Sequence, residues 1–141
     1  MTPAWTILSA FAGALLVLLL PARMARVVAL AASLVGAVAA AVSCLARLND
    51  PGGPVWSFDR PWIPSLGVRF HLAADGLSLT LLLLTGIVAV AGVLFSWNVE
   101  RRPRAFFAFF LTIIGGVYGV LLSRDAFLLF VCYEIVILPK Y

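Results

Sequence analysis

"LSLTLLLLTGIVAVAGVLFSW", Leu77 to Trp97, runs for 21 residues without a charged side chain. At about 1.5 Å per residue, a helix of that length reaches across the ~30 Å hydrocarbon core of a bilayer. Four more stretches have the same character: Trp5 to Leu20, Val27 to Leu45, Ala105 to Leu122 and Ala126 to Tyr141. All five are uncharged until Glu134. Apolar residues make up 64% of the 141 and charged ones only 11%, with a mean hydropathy of +1.12, a composition that excludes an ordinary soluble domain. The fold expected is all-α, a multi-pass transmembrane helical bundle of five spans, with residues 1–141 forming a single unit. The first stretch lacks the basic residues that precede a signal peptide's apolar run and is read as an anchor, spanning if it begins near Thr2.

The charges report topology. "PARMAR" carries Arg23 and Arg26, and "NVERRPR" carries Arg101, Arg102 and Arg104. Both are read as connections on one side, expected to be cytoplasmic, which leaves the N-terminus extracytoplasmic. The net charge of +4 is thus assigned to membrane orientation and not to nucleic acid. The opposite side receives Arg124 and the long loop "RLNDPGGPVWSFDRPWIPSLGVRFHLAADG", residues 47–76. In that loop "NDPGGP" is a turn cluster, "VWSF" and "VRFHL" read as short extended segments, and "PSLG" is placed to close a hairpin between them. Pro61 weighs against regular pairing, because it has no N–H for a ladder. Trp56, Trp62 and Phe70 are assigned to headgroup level.

Small residues mark packing faces: Ala29, Ser33, Ala37 and Ala41 at intervals of four, and Gly115 and Gly119 as GxxxG. Asp75 ahead of Ser78, and Ser123 ahead of Asp125, stand where spans begin and can cap orphan backbone N–H groups. Cys44 and Cys132 lie within spans at no metal-ligand spacing and read as small buried hydrophobes. His71, the single histidine, reads as structural ahead of a proton relay. No glycine-rich phosphate loop, CxxC or histidine pair points to a bound cofactor or metal.

Glu134 is the exception. Counted from Ala126 it lies about 12 Å into the last stretch, near the bilayer centre. A central acid there costs about 2.5–3.5 kcal/mol on insertion scales, so it is expected to face protein or trapped water and to handle ions. Pro139 adds a second feature: lacking an N–H, it leaves the carbonyl of Ile135 without a helical donor, beside Glu134. Lys140 is six positions from Glu134, a net rotation of about 240°, so the two do not share a helix face. Lys140 is expected to snorkel toward the headgroups.

At these residues the sequence becomes familiar. "FHLAADGLSLTLLLLTGIVAVAGVLFSW", "RAFFAFFL" and "SRDAFLLFVCYEIVILPKY" resemble, in order and spacing, the M-type antiporter-like membrane subunits of respiratory NADH:quinone oxidoreductase, complex I. The resemblance runs from "PWIPSLGVRFHL" onward, with the first two spans alike only in pattern. It implies proton translocation, with Glu134 falling on the fifth-helix glutamate that is thought to work against a lysine on the seventh helix. It also implies a bacterial inner membrane, neighbouring membrane subunits as partners, and NADH, quinone, FMN and iron-sulfur clusters held by other subunits. Ile114 departs from the pattern, because members often place a glutamate or glutamine there.

Family subunits have about fourteen spans. The last stretch here has 16 residues, about 24 Å against the ~30 Å needed. The chain therefore reads as a piece of a longer subunit. The alternatives are a subunit of a multisubunit cation/proton antiporter or membrane-bound hydrogenase, a small self-contained proton-coupled carrier, and an assembly protein without transport.

Overall fold

The computed structural model describes residues 3–50 and 56–140, apart from the side chains of Ala22, Leu66 and Lys140. Five α-helices account for most of them: α1 (Ala4–Leu19), α2 (Ala22–Asn49), α3 (Gly76–Phe95), α4 (Pro103–Leu122) and α5 (Ala126–Ile137). Two strands, β1 (Trp56–Ile63) and β2 (Val68–Ala74), lie between α2 and α3. Three helices, α2, α3 and α4, are long and apolar enough to cross a membrane, while α1 and α5 are shorter apolar helices of 16 and 12 residues. The protein is a helical membrane protein. The proposed "NDPGGP" turn and the start near Thr2 lie in part outside the described residues.

Helix boundaries follow local chemistry. The Asp75 carboxylate accepts a hydrogen bond from the Ser78 N–H at 2.7 Å and starts α3. Asp125 does the same for α5, accepting from the N–H groups of Phe127 and Leu128. Ser123 differs from expectation: it ends α4, its hydroxyl donating back to the Gly119 carbonyl at 2.6 Å, and Asp125 alone caps α5. α2 also runs past the sequence-based limits in both directions. Arg23 and Arg26 are inside its first turns, since Pro21 is extended and nothing in "ARMAR" opposes a helix. Its end is set by Pro51, which keeps Asp50 out of the α region (φ −135°, ψ 78°).

β1 and β2 pair antiparallel, Trp56 opposite Ala74 and Arg60 opposite Phe70. The register slips between Pro61 and Ile63, where the proline has no donor to offer. Pro64–Leu66 form a 3-10 turn, and Gly67 closes it at φ +67°, a left-handed conformation that suits glycine.

The helices pack in an order that is not the chain order. α1 lies between α2 and α4, α2 packs along α3, and α4 touches all four other helices. Close approach depends on small residues. A Cβ at Gly13 would stand 2.4 Å from the Ala32 Cβ, and one at Gly86 would stand 2.8 Å from the Ala37 Cα. Gly115 and Gly119 do not form one shared groove, as GxxxG suggests: Gly115 meets Ala10 and Phe11 of α1, whereas Gly116 and Gly119 meet Val136 and Cys132 of α5. A glycine pair three apart serves α5, because α4 presents different faces to two neighbours.

The two ends of the bundle are distinct. At one, Arg26 donates to the Val99 carbonyl at 3.1 Å, joining the start of α2 to the α3–α4 connection. At the other, the Arg124 N–H donates to the His71 carbonyl at 2.9 Å, and the Arg124 guanidinium pairs with Asp75. The strands are thereby tied to the α4–α5 turn.

Candidate functional site

α5 carries the sequence-derived candidates. Leu128, Cys132 and Val136 recur every four residues, and the last two fit against Gly119 and Gly116 of α4. Glu134 follows Cys132 by two positions, a rotation of about 200°, so its carboxyl group points away from α4. It is exposed, in company with Phe127, Phe130 and Tyr133. The Glu134 carboxyl group has no hydrogen-bond or ion-pair partner among the described residues. α5 gives way after Ile137 to a 3-10 turn, Leu138–Lys140, which contains Pro139. The last described helical bond there runs from the Leu138 N–H to the carbonyl of Glu134 itself. The expectation for the Lys140 side chain, like anything concerning Tyr141, lies outside the described residues.

A carboxyl group on an apolar outward face can bind and release a proton. In hydrocarbon, however, it needs a polar neighbour, and none of the described residues supplies one. Two ion pairs stand at the strand-bearing end. Arg69 pairs with Asp59 at 2.7 Å. The Ser78 N–H and hydroxyl, followed by the Arg124 guanidinium, hold the Asp75 carboxyl down at about 2, against its ordinary 3.8. Asp125 is also lowered, first by the Phe127 N–H it caps and more weakly by the Arg69 and Leu128 N–H groups and the nearby His71. His71 joins this end through its backbone carbonyl and lies across the strands from Asp59. Cys44 and Cys132 are half-buried free thiols on different helices, α2 and α5. Among the described residues, no three His, Cys, Asp or Glu side chains converge on a point where a metal could bind.

Arg26, read from the sequence as part of a connection, stands in the first turns of α2. One polar group has no place in the sequence-based reading: Tyr118 inside "GGVYGV", although a tyrosine among glycines in an apolar helix signals a hydroxyl that needs accommodation.

No family model matches the chain. NADH-quinone oxidoreductase subunit M of Escherichia coli (strain K12) is 45% identical over 96 residues, 66% of this chain and 19% of the relative. The subunit M of Pseudomonas aeruginosa is 47% identical over 95 residues, 64% of this chain and 19% of the relative. An NAD(P)H-quinone oxidoreductase chain 4 of Picosynechococcus is 36% identical over 131 residues, 90% of this chain and 24% of the relative. The chain spans about a fifth of the length of the curated relatives it matches. Over the matched residues, this chain is a homologue of subunit M of NADH-quinone oxidoreductase and of chain 4 of NAD(P)H-quinone oxidoreductase.

Proposed function

We propose that the chain is part of a proton-translocating membrane subunit of an NADH-quinone oxidoreductase, in which Glu134 takes up and releases the transported proton. The observation that carries this reading is the outward carboxyl of Glu134 on an apolar helix. Its neighbour is supplied by further helices of the same subunit, and the homology to longer subunits, of which the matched residues make up about a fifth, supports that arrangement. Pro139 frees the Ile135 carbonyl beside it, giving a water an acceptor near the carboxyl group. NADH oxidation and quinone reduction belong to other subunits of the complex, with their FMN and iron-sulfur clusters. The enzyme class is therefore that of the complex and not of this chain alone.

In the complete subunit, Glu134→Gln keeps size and hydrogen-bonding capacity but removes the titrating group. We expect the assembled complex to be present in normal amount while the protons moved per NADH oxidised fall severalfold. Unchanged coupling in a fully assembled Glu134→Gln complex would sink the assignment.

The proposal extends to topology: five crossings in a bacterial inner membrane, the N-terminus and the strand pair extracytoplasmic, and Arg101, Arg102 and Arg104 cytoplasmic. With Cys44 and Cys132 replaced in the complete subunit, an impermeant thiol reagent should label a cysteine at Ser57 and spare one at Asn98 in intact cells. The reverse pattern would invert the arrangement.

A further inference from the structure

An apolar groove runs between the first turns of α1 and the strand pair. Ala4, Ile7 and Leu8 form one wall and Phe58, Phe70 and Leu72 the other, around a cavity of about 320 Å³. Cavities of that order hold small ligands. Leu72 belongs to the bundle core, and Ile7 and Phe70 pack against it, so the floor of the groove is fixed. Leu8 (57% exposed) and Phe58 (43% exposed) stand open at its rim.

The two faces of the strand pair differ in chemistry. Phe58 lies opposite Leu72 and Arg60 opposite Phe70, so these four side chains leave the ribbon on the face that lines the groove. The Phe58 and Phe70 rings meet edge to face there, with centroids 6.2 Å apart. Asp59 and His71 take the other face, where Asp59, the only acid in either strand, is paired with Arg69. Arg124 is taken by Asp75. The exposed Arg60 guanidinium is left without an ion pair or hydrogen bond among the described residues, on a face that carries no acid.

We propose that the groove binds one acyl chain of an anionic phospholipid whose phosphate is held by Arg60. Charge complementarity selects this occupant: the chain fills the apolar groove, and the phosphate supplies the anion that the strand pair withholds from Arg60. A zwitterionic lipid brings its own cation and gains less from the same contact. An arginine stem can lie along apolar surface while its charged head stays at the polar boundary. Trp62, exposed and in ring contact with Phe70 and Phe127, marks the same end with an amphipathic ring of the kind that settles at headgroup level. The site rests on the chain being a membrane protein and stands whether or not Glu134 carries protons.

The test uses the complete subunit in its assembled complex, reconstituted in phosphatidylcholine bilayers. A trace of phosphatidylglycerol, or in a parallel sample of phosphatidylcholine, carries a photoactivatable group in its acyl chain. Mass spectrometry of digests should find the phosphatidylglycerol label on residues 4–8 and 58–72 in excess over the phosphatidylcholine label, and unlabelled phosphatidylglycerol should displace it. Arg60→Gln should cut that preference by about fivefold, the weight of one arginine beside an anionic headgroup, and leave labelling by phosphatidylcholine unchanged. Leu8→Trp, which fills the groove from an exposed position, should reduce labelling by both lipids. Equal labelling by the two lipids, a preference that survives Arg60→Gln, or labelling unmoved by Leu8→Trp would overturn the proposal. So would the absence of label from these residues, the result expected where another helix of the subunit or a neighbouring subunit covers the groove.

Discussion

α4 and α5 are adjacent, antiparallel and both apolar, yet they are used in opposite ways. α4 buries Phe107, Leu111, Ile114, Tyr118 and Leu122 among its neighbours, while on α5 only Leu128 is buried. α4 packs against α1, α2, α3 and α5, while Phe106 and Phe109 on it stay exposed. α5 rests one face on the glycines of α4 and leaves Phe130, Tyr133 and Glu134 open. In lipid, apolar side chains on an open face cost nothing, since hydrocarbon is as apolar as they are. A carboxyl group on that face does cost, which distinguishes Glu134 from every other exposed residue of α5.

The contrast is broken most directly by cutting a large side chain on each helix. Phe107→Ala on α4 should destabilise the subunit by about 2–3 kcal/mol, the low end for large-to-small core changes because the partner medium is lipid and not water. Phe130→Ala on α5 should cost this bundle about 0.5 kcal/mol or less, as an exposed position does. Equal losses in denaturant titrations of the purified complex would show that the open face of α5 is packed as tightly as the core. Gly119→Val probes the seam between the two helices. A Cβ there would stand 2.6 Å from the Cys132 Sγ, so overpacking should cost about 1–3 kcal/mol and displace α5. Reduced cross-linking between cysteines on α4 and α5 would register the displacement, and unchanged efficiency would deny it.

The smallest effect concerns the strand-bearing end. Folding lowers the Asp75 carboxyl to about 2 from 3.8, so the folded state releases this proton more readily than the unfolded one. The contribution of its cap and ion pair is complete above about pH 4 and is lost as pH falls from there toward 2. Asp75→Ala should cost about 0.5–2 kcal/mol at neutral pH, mainly through the lost cap, since the Arg124 pair is exposed. The difference from wild type should shrink as pH falls through that window. A difference independent of pH would remove the carboxylate from the account.

The apolar stretches and the caps at Asp75 and Asp125 were legible because they rest on length, composition and local hydrogen bonding. What escaped was direction. α5 is apolar on every side, so its sequence cannot tell which face meets α4, and the outward aim of Glu134 had to come from packing. Gly115 and Gly119 of α4 both allow the close approach their spacing predicts, but the spacing states only that a face is small, while the partners decide which glycines share a neighbour. Charge alone puts Arg23 and Arg26 in a connection, yet both lie in the first turns of α2, because long basic side chains can extend from within a helix to its polar end.

The position of α1 between α2 and α4 has a consequence in time. α1 ends at Leu19 and α4 begins at Pro103, so during synthesis α1 emerges long before its second neighbour exists. At about 5–20 residues per second the gap is on the order of 5–20 s. Throughout it, the surface that will receive Gly115 and Leu111 meets only lipid or the insertion machinery. α2 and α3 can pair with their immediate predecessors as they arrive, but α1 must wait. The bundle therefore closes only when α4 enters, and a ribosome that stalls between α3 and α4 would leave α1 as the helix most easily lost to a wrong partner.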